Sequence, residues 1–114
     1  MPILQPQLIS RSFASGQLPN AKGTLFTATR ETWIRLISYV CVDPAAHTVN
    51  LYLKTVADGT SRRLIPANFP MDPTSATVAA KLEEYNVEML AGDVIEGDCD
   101  ASAAVDYVIT GAER

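Results

Sequence analysis

Apolar and polar side chains alternate most regularly between Thr48 and Val56. Val49, Leu51 and Leu53 fall on one side of an extended chain, and Asn50, Tyr52 and Lys54 on the other. A period of two predicts a β-strand that buries one face. The same texture recurs in shorter pieces. Residues 24–29 (T-L-F-T-A-T) are rich in β-formers, residues 61–66 (S-R-R-L-I-P) return from the turn signal Asp58-Gly59, and residues 86–90 (N-V-E-M-L) alternate again.

The longest candidate strand is Thr32 to Val42. A straight strand places Trp33, Arg35, Ile37, Tyr39 and Cys41 on one face and Ile34, Leu36, Ser38, Val40 and Val42 on the other. Both faces are largely apolar, which suits a central strand. A helix is the rival reading. The β-branched and aromatic content favours the strand, as does the stop signal Asp43-Pro44. At the end of the chain, Val94-Ile95 and the run Val105 to Ile109 flank a small acidic connection, and this pattern predicts a terminal β-hairpin.

Two stretches break the rhythm. Residues 1–22 hold Pro2, Pro6 and Pro19 among scattered apolar residues, and proline removes ladder donors. An extended N-terminal arm is expected there, docked through Ile3, Leu4, Leu8, Ile9 and Phe13 on its own domain or on a neighbour. Residues 77–85 (T-V-A-A-K-L-E-E-Y) have helical composition, with Val78, Leu82 and Tyr85 at helical spacing. One short helix near 77–84 and an extended connection are both open for that stretch. The expected architecture is all-β: an antiparallel, jelly-roll-like β-sandwich of about seven or eight short strands spanning residues 23–114, preceded by the arm at 1–22.

Composition narrows the function. At 114 residues the chain makes one domain. Its net charge of −4 opposes non-specific nucleic-acid binding, which needs a cationic face. Only 19% of residues are charged, below the usual quarter, so an assembly subunit that covers apolar surface is one reading and an ordinary monomer the other. No apolar run approaches the length that crosses a bilayer.

Candidate chemistry is sparse. His47 is the only histidine, and with two distant cysteines, Cys41 and Cys99, it offers too few ligands in sequence for a zinc site. Cys41 reads as a small buried hydrophobe, and a Cys41–Cys99 disulfide is the alternative. Asp93, Glu96, Asp98, Asp100 and Asp106 form an acidic cluster without the EF-hand pattern, read as a solvated hairpin tip, with a weak metal site as the rival. No phosphate-binding loop or nucleophile elbow is present. The expectation is therefore no enzyme, no cofactor and no catalytic residue. Trp33, Tyr39 and Tyr52 are candidates for intersubunit contact or for an aromatic platform that takes a surface glycan.

The order of segments carries one further reading. G-T-L-F-T-A (23–28), W-I-R-L-I-S-Y-V-C-V (33–42), T-V-N-L-Y-L (48–53), D-G-T-S-R-R-L-I (58–65), V-E-M-L-A-G-D-V-I-E-G (87–97) and V-D-Y-V-I-T-G-A-E (105–113) follow one another. Over residues 23–113 this order resembles small β-sandwich structural proteins of tailed-bacteriophage virions. The resemblance implies a virion component assembled in the bacterial host cytoplasm. It implies symmetric packing against other copies and other virion proteins, with no cofactor and no enzymatic activity. It carries over no functional residues.

Overall fold

The computed structural model describes residues 11–71 and 80–113. They form nine strands: β1 Arg11–Gln17, β2 Gly23–Thr27, β3 Thr32–Cys41, β4 His47–Lys54, β5 Ser61–Arg63, β6 Phe69–Met71, β7 Ala80–Met89, β8 Val94–Cys99 and β9 Val105–Glu113. Every pairing is antiparallel. One sheet runs β1-β9-β3-β7. The other runs β2-β8-β4-β5, with β6 also against β4. Successive strands change sheets along most of the chain, and this is the jelly-roll order. The expected all-β sandwich is present.

Burial follows the alternation. Val49, Leu51, Ile95 and Cys99 of one sheet face Ile37, Tyr39, Val105 and Ile109 of the other, and all are buried. Ile37 is fully buried. Replacing it with alanine leaves a cavity between the sheets and should cost about 2–5 kcal/mol, read as a lower urea midpoint at unchanged slope.

The four-stranded sheet is kinked by irregularities at one level. Register shifts fall between Ser12 and Ala14 in β1 and between Ile34 and Leu36 in β3. The extra residue in β3 is Arg35. A bulge switches which face a strand buries. Thr32 and Ile34 therefore point inward before it, Ile37, Tyr39 and Cys41 point inward after it, and Arg35 is exposed. The straight strand expected from the sequence put Arg35 on the face of Ile37. The bulge removes the charge from the core.

One further expectation is corrected, and two open alternatives are decided. β8 and β9 are not hairpin partners: β8 lies between β2 and β4, and β9 lies between β1 and β3. Both strands need an apolar wall, and the five-residue link 100–104 carries the chain across to the facing sheet instead of turning back within one. Among the described residues there is no helix. From Ala80 onward the stretch that left helix and extended chain both open is strand β7, whose backbone pairs with β3 from Val40 to Thr32. A ladder along most of the strand, interrupted only by the shift between Ile34 and Leu36, outweighs a helix-prone composition over so few residues. Residues 77–79 lie outside the described residues. Cys41 and Cys99 are both free thiols, so no disulfide joins them.

The strand β1 lies within the segment expected to be an arm. It pairs along β9 from Arg11 to Gln17, and Phe13 stacks on Phe26 of β2 with ring centroids 5.3 Å apart. Ile3, Leu4, Leu8 and Ile9 lie outside the described residues.

Candidate functional site

The two ends of the sandwich differ chemically. At one end the β3–β4 and β8–β9 connections meet. Pairing of Val49 with Cys99 sets the start of β4 beside the end of β8, and the Asp100 amide donates to the Thr48 carbonyl at 3.1 Å. His47, whose side chain is only 10% exposed, is held between two carboxylates. Its Nε2 lies 2.8 Å from Asp43 Oδ2 and its Nδ1 lies 2.7 Å from Asp100 Oδ1. Asp43 Oδ2 also accepts the Ala45 amide at 3.3 Å. Cys99 is buried next to this group, and its thiol donates to Asp100 Oδ1 at 3.4 Å.

An acceptor at each ring nitrogen favours the imidazolium, the only form in which both nitrogens donate. The hydrogen bond to Asp43, then that to Asp100, raises the His47 pKa above its ordinary value. The same bond to His47 lowers the pKa of Asp43. Burial pushes the Asp100 carboxyl upward, but hydrogen bonds from His47, Cys99 and the Thr48 backbone outweigh it, and its pKa is lowered. Burial raises the pKa of the Cys99 thiol. A nucleophilic thiol needs the opposite shift and open access. With Nδ1 of His47 occupied by Asp100, the group does not work as a cysteine–histidine dyad. Among the described residues, His47, Cys99 and Asp100 do form a group whose potential ligand atoms all lie within 4.8 Å of one another.

The acidic cluster seen in the sequence is dispersed by the alternation of β8. Asp100 joins His47 at one end, while Asp93 is buried at the other. Glu96 and Asp98 lie on the outer face of their sheet, opposite Tyr52 and Asn50 of β4. A polar network covers this face. Asn50, 8% exposed, donates to Asp98 at 2.8 Å and accepts from Arg63 at 2.7 Å and from the Asn68 amide at 2.8 Å. The Ser61 hydroxyl donates to Glu96. Tyr52 is half-buried, with Lys22 Nζ and the Arg63 guanidinium each 5.0 Å from its ring centroid.

The remaining aromatic candidates take other places. Trp33 is partly buried in β3, opposite Ala112 of β9. Tyr39 is 1% exposed in the core and contributes no surface. Structure thus leaves Tyr52 as the aromatic side chain of the three that sits among polar neighbours on an outer face.

The opposite end carries exposed apolar side chains. Here Thr32, Met89 and Glu113 stand level in one sheet, and Thr27, Lys54 and Val94 in the other. The loops beyond them border an open groove of about 690 Å³, walled by Thr55, Val56 and Ala57 and by Glu88, Leu90 and Ala91. Val56 is 69% exposed and Leu90 60%. Asp93 lies beneath, its two carboxylate oxygens accepting the Val56 and Leu90 amides, each at 2.9 Å.

No protein-family model matches the chain, and no curated protein is similar to it. Among solved structures the likeness is partial. The crystal structure of the infectious bursal disease virus VP2 subviral particle is 11% identical, with a TM-score of 0.48, over 94% of this chain and 32% of that one. The structure of the Gt strain of the same virus is 14% identical, with a TM-score of 0.40, over 94% of this chain and 34% of that one. The chain therefore spans about a third of the length of these structures.

Proposed function

We propose that this chain is a non-enzymatic structural component of a virion of the tailed-phage type, assembled in the host cytoplasm and acting by packing against other copies of itself. The observation that supports this most directly is the apolar end. A groove flanked by Val56 and Leu90 leaves large apolar side chains in water, a state that association relieves. The jelly-roll order fits the role, since capsid domains use it, and so does the low share of charged residues.

The occupant assigned to this groove is the apolar segment 1–10 of a neighbouring copy. Arg11 pairs with Gly111, and Gly111 pairs with Ile34. The segment therefore joins β1 at the end where the groove lies. Residues 1–10 carry Ile3, Leu4, Leu8 and Ile9, and an extended chain of that length reaches about 33 Å.

Two measurements test the reading. Mass spectrometry of purified particles should find this chain, and light scattering should find a discrete oligomer that Leu90→Asp and deletion of residues 1–10 each shift toward the monomer. A chain absent from particles and monomeric at high concentration overturns the proposal. An oligomer untouched by both changes removes the groove and its occupant.

Tyr52 favours a second reading, a glycan-binding attachment module. An aromatic ring flanked by two cations and a carboxamide–carboxylate network suits sugar hydroxyls and a sugar face. Calorimetry with host polysaccharide should then show heat that Tyr52→Ala abolishes. No heat from the native protein ends this alternative.

A further inference from the structure

We infer that His47, Cys99 and Asp100 bind a zinc ion that pins the β3–β4 connection to the β8–β9 connection, at the end of the sandwich away from the apolar groove. The inference stands apart from the virion reading, and its test does not depend on it.

The donor set comes first. One imidazole nitrogen, one thiolate sulfur and one carboxylate oxygen make a mixed, borderline-soft set. Zinc takes these three ligand types, whereas calcium and magnesium take oxygen alone. The spacing comes second. Zinc–ligand bonds of about 2.0–2.3 Å place neighbouring ligand atoms of a tetrahedron roughly 3.3–3.7 Å apart. Cys99 Sγ and Asp100 Oδ1 are already 3.4 Å apart. His47 Nδ1 and Asp100 Oδ1, at 2.7 Å, sit at hydrogen-bond distance and need only open by a fraction of that. The three ligand atoms lie within 4.8 Å of each other without any ion to draw them in.

The surroundings add a third and independent point. A metal-bound imidazole commonly donates its other N–H to a carboxylate, which fixes the tautomer and aims the lone pair at the metal. Asp43 occupies that place, with Oδ2 2.8 Å from Nε2 of His47. It holds the proton on Nε2 and leaves Nδ1 facing Cys99 and Asp100. The Asp100 side chain is 46% exposed, so an ion has a route in and a water completes the fourth position.

Binding is a coordination step and balances simply. Zinc displaces the proton from the Cys99 thiol and the proton from Nδ1 of His47, and both leave to solvent. The Asp100 carboxylate gives up its hydrogen bonds from His47 and Cys99 for one bond to the metal. No oxidant or reductant takes part. The product ties residues 47 and 99–100 covalently across two strands, where hydrogen bonds alone now join them.

Cobalt(II) is the probe, because a cobalt–thiolate bond absorbs in the near ultraviolet and a tetrahedral centre absorbs in the visible. Untagged protein titrated with Co(II) should show both bands, saturating at one equivalent, and zinc should bleach them. Cys99→Ser should abolish the near-ultraviolet band and Cys41→Ser should leave it. Asp43→Asn should keep the band but weaken affinity about 10- to 100-fold. X-ray absorption of the zinc-loaded native protein should report one sulfur among nitrogen and oxygen ligands. This measurement keeps the inference testable if Cys99→Ser fails to fold. No thiolate band in the native protein, a band that survives Cys99→Ser, or a zinc shell without sulfur overturns the site.

Discussion

Gly111→Ala should cost of order 4 kcal/mol or more, a large part of the stability of a domain this size, because it forces a carbon into backbone. A Cβ built at Gly111 comes 2.0 Å from the Trp33 carbonyl oxygen, 3.0 Å from the Trp33 carbonyl carbon and 2.9 Å from the Phe13 ring. A ring can turn aside, but a carbonyl inside a strand cannot without breaking the ladder. The close approach arises from the β3 bulge: Gly111 pairs with Ile34 just before Arg35 is pushed out of register. Relief would part β3 from β9, the two central strands of the sheet. Gly16→Ala is the control, since the nearest atoms to its Cβ belong to the Tyr107 side chain, at 3.6 Å or more. That change should move stability by less than about 1 kcal/mol. Urea denaturation of the two variants checks the pair. Equal stabilities would mean that the bulge is not where the register puts it.

The bulge also explains what the sequence could and could not reveal. β4 was legible because its register runs unbroken, with Val49, Leu51 and Leu53 on one side throughout. In β3 one extra residue reverses the faces midway, and no periodicity argument can place that residue in advance. The segment 94–109 shows a different limit. A turn-rich gap between two alternating strands predicts a reversal of direction, but it does not say whether the chain returns beside itself or on the facing sheet. Only the pairing of β8 with β4, and of β9 with β3, decides that.

The polar end was illegible for a related reason. Asp43 and His47 are four residues apart, but Asp100 is 53 residues from His47. Their meeting is a product of the β4–β8 register, which sets Cys99 opposite Val49. Counted along the chain, one histidine and two distant thiols are too few for a zinc site, and the acidic run holding Asp100 offers at most a weak metal site of its own. The fold brings one of those thiols to the histidine and supplies the carboxylates from two connections. The one local signal was the position of Asp100 directly after a buried strand residue, where a side chain at the strand end can turn toward its neighbour.

Removal of the Asp93 carboxylate should have the second large effect. Asp93→Ala is expected to cost about 1.5–3 kcal/mol, since two part-buried amides lose a charged acceptor that water replaces only in part. Asp93 is 5% exposed. Its oxygens accept the Val56 and Leu90 amides from different connections, while its own backbone carbonyl accepts the Ala28 amide at 2.9 Å from a third. Asp93→Asn keeps one acceptor but turns an amino group toward the other donor, so it should fall between alanine and the native residue. Hydrogen exchange gives the direct reading: protection at the Val56 and Leu90 amides should be lost in Asp93→Ala, and unchanged protection would show that the carboxylate does not hold them. The same variant bears on assembly. The groove exists because Thr55–Ala57 and Leu90–Ala91 are fastened to one carboxylate from opposite sides, and a partner segment binds best to walls that are already in place. Asp93→Ala should therefore loosen self-association beyond what its loss of fold stability explains, and a folded variant that assembles as tightly as the native chain would separate the groove from the interface.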